Sequence, residues 1–382
     1  MSPIQVGQVR FGGEPRTQGG EGALVRGKEA IRSPNGSRSP VVARLAGGGA
    51  LLAVAAAALI VTAAAVGPYA IPLSHTAAIL LEQIGIRILE ATDAERAIVE
   101  SIRLSRITLA LIVGAALGVA GAVMQGLFRN PMADPGIIGV STGGALGAVV
   151  AIALGAQAAT PLALPAMAFA GAAGALALVF AVASAGGRFS MAALLLSGVA
   201  VSAFLAAIIS AIVLFTADLG AQREMIFWLA GGLDASRWTH VRLAAPLVLA
   251  GLAVAVLLSR DLNLLMVGEE EARALGVRVG LTRTLLLLAA SLITGTAVAF
   301  SGTIAFVGLI VPHALRLITG ADHRVLVPLS ALGGAVFLLA ADTVARLAVA
   351  PAEVRVGIIT ALVGAPFFLF LLARHKARAG LL

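Results

Sequence analysis

The chain has 382 residues, with 27 Lys+Arg against 19 Asp+Glu for a net charge of +8; only 12% of residues are charged and 59% are apolar. Soluble domains average about 25% charged residues, so this composition excludes a water-soluble globule and describes an integral membrane protein. Cysteine is absent, which excludes a disulfide scaffold, Cys-ligated metal centres and thiol catalysis.

Residues 1–44 are rich in Gly, Ser, Pro and Arg and read as a disordered basic cytoplasmic tail. Within it, Gly22-x4-Gly27-Lys28-Glu29 falls short of a phosphate loop. Glu29 replaces the magnesium-binding hydroxyl, and no strand or helix frames the segment, so ATP binding by this chain is not expected.

Charge-free runs at 45–81, 107–128, 135–187, 189–217, 243–259, 284–315, 325–341 and 356–373 follow. About 20 apolar residues suffice to cross a bilayer, so the run 135–187 must hold two helices, broken near Thr160-Pro161. The run 284–315 is also too long for one span, and Gly302, Gly308 and Pro312 suggest a break. The reading is an all-α polytopic membrane protein with ten transmembrane helices, near 45–67, 98–126, 136–156, 162–185, 190–217, 239–258, 281–301, 304–319, 325–348 and 356–374. Residues 45–374 form the ten-helix domain and 375–382 a C-terminal tail.

With both termini cytoplasmic, 18 basic residues fall inside and 9 outside, as the positive-inside rule requires. Tyr69, Trp228 and Trp238 then lie at the outer interface. This placement explains the positive charge without nucleic acid. Gly114 and Gly118, and Gly139, Gly143 and Gly147, carry the small-residue spacing that lets helices approach closely in lipid. Phe128–Gly136, with two prolines, forms a tight cytoplasmic turn. In the cytoplasmic loop 259–283, residues 269–275 read as a short helix with an acidic N-terminus and Gly276 as its cap. A helical loop of this kind suits docking of a soluble partner.

Several segments, in order, carry a resemblance. They are Arg103-Leu104-Ser105-Arg106, Gly121–Gly136, the 267–277 loop, Phe306–His313, Ala321–Arg324, Asp342-x-x-Ala345-Arg346 and Gly364-Ala365-Pro366-Phe367. From about residue 45 to 374 the chain resembles the permeases of type II ABC importers for cobalamin, iron–siderophores and haem. Ser105 departs from the family's usual proline, and the N-terminal tail has no counterpart.

The resemblance implies a non-enzymatic homodimeric permease in a bacterial inner membrane. Two cytoplasmic ATPase subunits would consume ATP, a periplasmic binding protein would deliver substrate, and this chain would bind no cofactor or metal of its own. It assigns Arg103, Arg106 and Arg346 to docking of the binding protein's carboxylates, with Asp342 positioning Arg346. Asn130 and Met132, with Ser190, Met191 and Ala192, match a cytoplasmic gate. Gly268, Glu269, Glu270, Ala272, Arg273, Leu275 and Gly276 match the ATPase-coupling segment. The fifth helix, 190–217, would line the pathway and offers only Ser197, Ser202 and Ser210 as hydroxyls.

Haem is the first choice of substrate, because the stretch Phe227–His240 is most similar to haem permeases. Iron–siderophores and cobalamin are the alternatives. His75, His240 and His313 make no convincing axial ligand. A secondary transporter driven by an ion gradient would be expected to carry intramembrane carboxylates. Only Asp342 lies well within a span, which argues against that class.

Overall fold

The computed structural model describes residues 40–378 apart from 68, 84, 87, 88, 90, 186–189 and 351. The expected tail up to residue 39, with its glycine-lysine motif, Arg87, Arg188 and residues 379–382 lie outside the described residues. All regular structure described is helical: α1 Pro40–Ala65, α2 Leu73–Glu82, α3 Asp93–Ala97, α4 Leu104–Leu127, α5 Val140–Ala153, α6 Ala163–Ser184, α7 Met191–Phe215 and α8 Leu219–Leu229. There follow α9 Trp238–Leu257, α10 Ser259–Val267, α11 Glu269–Ala274, α12 Val279–Ser301, α13 Val307–Thr319, α14 His323–Leu347 and α15 Val356–Arg378.

Each of the ten apolar segments folds as a helix, but seven of these are long and apolar enough to cross a membrane by themselves. Val140–Ala153, Val307–Thr319 and Val356–Phe370 are shorter apolar helices. The second predicted helix begins earlier than expected. A π-helical turn, Ile98–Arg103, joins α3 to α4 in one 35-residue helix, Asp93–Leu127. Thr92 and Glu95 start it with a reciprocal capping box.

α4 is the central helix. Every residue from Ala116 to Leu127 is buried, which fits a helix that is apolar on all sides. Its glycines set the approach of its neighbours: a Cβ on Gly114 would stand 2.3 Å from the Gly334 carbonyl oxygen, and one on Gly118 2.2 Å from that of Ser330. Gly143 and Gly147 bring α5 against α6 in the same way. Gly139 does not join that stripe. It has φ +82° and ends a short 3₁₀ turn before α5, where a left-handed residue favours glycine.

The break in the 284–315 run lies at Gly302–Phe306, where the expected helices 281–301 and 304–319 part; of the three residues that suggested it, Gly302 marks it, and Gly308 and Pro312 do not. Gly302 and Phe306 both have positive φ, and Pro312 sits inside α13. A helical proline lacks the N–H that would serve the carbonyl four residues earlier. Here that carbonyl belongs to Gly308, and the buried Gln125 side chain donates to it and to Leu309 O at 3.2 Å each. The freed acceptor is satisfied from α4, so the helix continues through the proline.

Candidate functional site

Polar residues gather at the two ends of the bundle. The near end holds the 128–139 turn, α10, α11 and the α13–α14 corner. The far end holds the connections α1–α2, α5–α6, α7 to α9, α12–α13 and α14–α15.

At the near end, Arg129 adopts φ +48° and donates to the carbonyl of Leu265 at the end of α10. Asn130 Oδ1 accepts from Met132 N at 3.0 Å, and Asp134 Oδ1 from Gly136 N at 2.8 Å. These bonds fix the turn that carries Asn130 and Met132. Ser190 caps α7 by accepting from Ala193 N at 3.0 Å, so Met191 and Ala192 are its first two residues. Met191 shares a cavity of about 270 Å³ with Phe128, Arg129, Leu265, Glu269 and Arg283. The structure thus brings the predicted gate and coupling segments to one place.

The predicted short helix is α11, with Glu269, Glu270 and Glu271 in its first turn and Gly276 at φ +86° after its end. Gly268 precedes it. Ala272 is fully buried, while Leu275 is 65% exposed. Glu269 accepts from Arg283 on α12 and pairs with Arg273 at 3.2 Å. The Arg283 guanidinium holds the Glu269 carboxyl below its usual range. α10 is not among the expected helices, because its apolar residues, Leu262 and Leu264–Val267, are too few to form a long run and follow the polar Ser259-Arg260-Asp261.

Sequence reading also missed the network at the α13–α14 corner. Asp322 caps α14, accepts from Arg324 N at 3.0 Å and from Asn263 Nδ2 of α10 at 2.7 Å, and pairs with the Arg324 guanidinium. Asn263 Oδ1 in turn accepts from His323 N at 2.9 Å. The Arg324 side chain is the largest influence lowering the Asp322 carboxyl from 3.8 to about 2. A depressed carboxylate contributes its stability above the unfolded value and loses it as pH falls through the folded value. The stability difference between wild type and Asp322→Asn should therefore be full at pH 7 and vanish between about pH 4 and pH 2. Thermal unfolding in detergent against pH checks this.

At the far end, the three predicted docking arginines are engaged with this chain. Arg103 and Arg346 are each 5% exposed. Arg103 donates to the carbonyls of Ala64, Ala65 and Tyr69. Arg346 donates to those of Ala63 and Val66 at 3.1 and 3.0 Å. The last carbonyls of a helix lack partners within it and favour cations, so these two arginines cap α1. Neither side chain presents a free guanidinium at the surface, as docking of a carboxylate would need.

Arg106 makes the stronger pair with Asp342, through Nε to both carboxylate oxygens at 3.1 Å and Nη2 to Oδ1 at 2.9 Å. Its Nη1 bonds Glu353 at 2.7 Å. Arg346 Nε lies 3.4 Å from Asp342 as anticipated, but the fully buried Asp342 serves Arg106 first.

α8 lies across the far end and had no place among the predicted helices. Arg223, Glu224 and Gln222 interrupt its apolar residues. It walls a pocket of about 580 Å³ with the α5–α6 connection and the beginning of α9. On α7, Leu196, Phe204, Leu214 and Phe215 are all more than 60% exposed, an apolar face left without a partner in this chain. Among the described residues no group of three or more His, Asp or Glu is arranged to hold a metal ion.

Residues 51–374 match the FecCD transport family. The chain is 51% identical over 288 residues to the cobalamin import system permease protein BtuC of Halobacterium salinarum, covering 75% of this chain and 76% of that protein. It is 43% identical over 285 residues to the hemin transport system permease protein HmuU of Yersinia pestis, covering 72% and 83%. Identity to the Fe(3+) dicitrate permease protein FecD of Escherichia coli is 42% over 274 residues, covering 72% and 84%. Among solved structures, an inward-facing metal-chelate type ABC transporter superposes with a TM-score of 0.74 at 33% identity, covering 86% of this chain and 98% of that one.

Proposed function

The chain belongs to the FecCD transport family as a multi-pass ABC importer permease, and from that premise we propose that it carries haem inward across a bacterial inner membrane. The observation that carries the reading is the match over 51–374 to a family whose relatives here are named for cobalamin, hemin and ferric dicitrate. Haem is preferred on the Phe227–His240 stretch. Cobalamin is the second reading, favoured by the 51% identity to a cobalamin permease. Iron–siderophore chelates are the third.

In this reading ten helices cross the bilayer and both termini face the cytoplasm. The near end is cytoplasmic, where α11 docks one of two ATPase subunits and Glu269 ties it to Arg283. Arg129, bonded to Leu265 at the end of α10, links that loop to the gate residues Asn130 and Met132, and Ser190, Met191 and Ala192 form the second gate. A homodimer covers the exposed α7 face and encloses the pathway. ATP is used by the partner, and the chain itself holds no cofactor.

The far end is periplasmic and receives the binding protein. Arg103 and Arg346 hold α1 beneath that surface, while Arg106 meets a carboxylate of the binding protein in exchange for Glu353. Glu353 is the more exposed partner of that pair, at 30%, and exposed ion pairs are worth only about 0.2–1 kcal/mol. Glu353→Gln is therefore expected to tighten docking about two- to fivefold at low salt, an effect that salt removes. An unchanged affinity at low salt argues against docking at Arg106.

The substrate is tested by competition. Vesicles holding the permease, its ATPase and its binding protein are offered haem, ferric citrate and cobalamin together. Haem should be taken up in preference; preferential cobalamin uptake would select the second reading.

A further inference from the structure

The pocket of about 580 Å³ behind α8 combines cations, two of them unpaired among the described residues, with aromatic walls. Its walls come from Gln157 and Pro161 after α5, from α8, from the start of α9, from the end of α12 and from Arg355. A pocket of this volume falls within the usual range for small-molecule sites, about 300–1,000 Å³.

Its charges are unequally neutralised. Asp234 is taken by Arg355. Glu224 accepts two bonds from the Gln157 amide, at 2.9 and 2.8 Å. Arg223 and Arg237 form no ion pair among the described residues. The guanidiniums of Arg223 and Arg355 lie over the Phe227 ring, 5.1 and 4.7 Å from its centroid. Arg223 thus already rests on an aromatic face with its donors uncommitted to a carboxylate.

His240 supplies the second observation. It is 9% exposed, lines the same pocket, and its Nδ1 has no hydrogen-bond partner. Its ring lies 5.4 Å from that of Phe300. A buried polar atom left without a partner is unusual and calls for a ligand, a water or an ion. Phe227, Trp228 and Phe300 add apolar faces around it.

We propose that this pocket is a waiting site for a carboxylate-bearing metal chelate, with Arg223 and Arg237 gripping the carboxylates and Phe227, Trp228 and the His240 ring walling the body of the chelate. Guanidinium matches carboxylate through paired donors, and the aromatic walls suit a flat apolar body. Haem, with two propionates, fits this description. Cobalamin, whose periphery is largely neutral amides with a single phosphodiester anion, would leave at least one of the arginines unpaired. The carboxylate of a docking protein is the poorer match, because it offers nothing to the aromatic walls.

The proposal rests on the importer reading, and its test separates the two. Haemin is titrated by absorbance into the purified full chain in nanodiscs, beside haemin dimethyl ester, whose carboxylates are masked, and cobalamin. Wild type should bind haemin saturably with a stoichiometry near one, and the ester and cobalamin more weakly. Arg223→Gln with Arg237→Gln should weaken haemin binding by roughly tenfold or more and leave ester binding unchanged. His240→Gln should change the absorbance spectrum of bound haemin. Size-exclusion profiles matching wild type confirm that the variants fold.

Equal haemin affinity in wild type and the double variant overturns the proposal, as does ester binding as tight as haemin or unsaturable partition into the lipid. In parallel, ATP-driven uptake is measured in vesicles with the ATPase and binding protein. Uptake of haem by wild type with no rise in KM for the double variant defeats the pocket alone. Absence of uptake of any chelate by wild type defeats the importer reading itself.

Discussion

Asp342→Ala should cost the folded permease about 3–5 kcal/mol, the usual penalty for removing one partner of a buried ion pair. The Asp342 side chain is fully buried and faces two guanidiniums, Arg106 at 2.9 Å and Arg346 at 3.4 Å. Arg106 itself is only 12% exposed at its side chain. Without the carboxylate, two cations remain close together in a poorly solvated site, and Glu353 reaches only Arg106. The Arg346 bonds to Ala63 and Val66 would then loosen, and with them the end of α1. Thermal or denaturant unfolding of the purified protein measures the loss. A second change, Arg106→Gln, made in the Asp342→Ala background should recover part of it, because the stranded charge is removed. A loss below about 1 kcal/mol would contradict the assignment of Asp342 as the centre of this cluster.

Gly121→Val should prevent the native packing of α4 on α13. A Cβ on Gly121 would lie 1.8 Å from the Gly308 carbonyl oxygen and 2.5 Å from its C and Cα. All three obstacles are backbone atoms, so no rotamer change relieves the clash. Ordinary overpacking costs about 1–3 kcal/mol, and a clash with backbone exceeds that range. The same displacement would pull Gln125 away from the carbonyls of Gly308 and Leu309, leaving the acceptor freed by Pro312 without its partner. The variant is expected to yield no monodisperse folded protein. Gly49→Ala is the matched control: nothing lies within 4 Å of its added Cβ, and inside α1 its stability should match wild type or exceed it by up to about 1 kcal/mol. A Gly121→Val protein as stable as wild type would refute the α4–α13 contact.

What the sequence made legible follows from what physical signal each feature carries. Continuous apolar runs are long, so the ten helical segments stand out from 45 to 374. α8 and α10 are short and half polar, and nothing in their periodicity separates them from loops. Gly302 marks the helix break, but Pro312 in the same run reads as a breaker too and is not one. Its tolerance depends on Gln125, a residue 187 positions away on another helix, and local pattern carries no record of such a partner. The short α11 helix was readable because its acidic first turn and following glycine are local signals.

The functional residues divide in the same way. The expected gate and coupling segments could be named from a resemblance, and one residue of each, Met191 and Glu269, lines the same near-end cavity. Arg103 and Arg346 were recognisable as arginines at the ends of spans. Only the fold shows that α1 ends without partners for its carbonyls and that these side chains supply them. Arg223, Arg237 and His240 were visible singly, but 14 residues separate Arg223 from Arg237, and the turn between α8 and α9 is what brings them to one pocket.

The central claim is ATP-driven import through this chain. Its most direct measurement is uptake of labelled haem into vesicles containing the permease, its ATPase and its binding protein, with and without ATP and with and without an imposed ion gradient. Uptake is expected to require ATP, the ATPase and the binding protein, and to be independent of the gradient. Uptake driven by the ion gradient in the absence of the ATPase would contradict it.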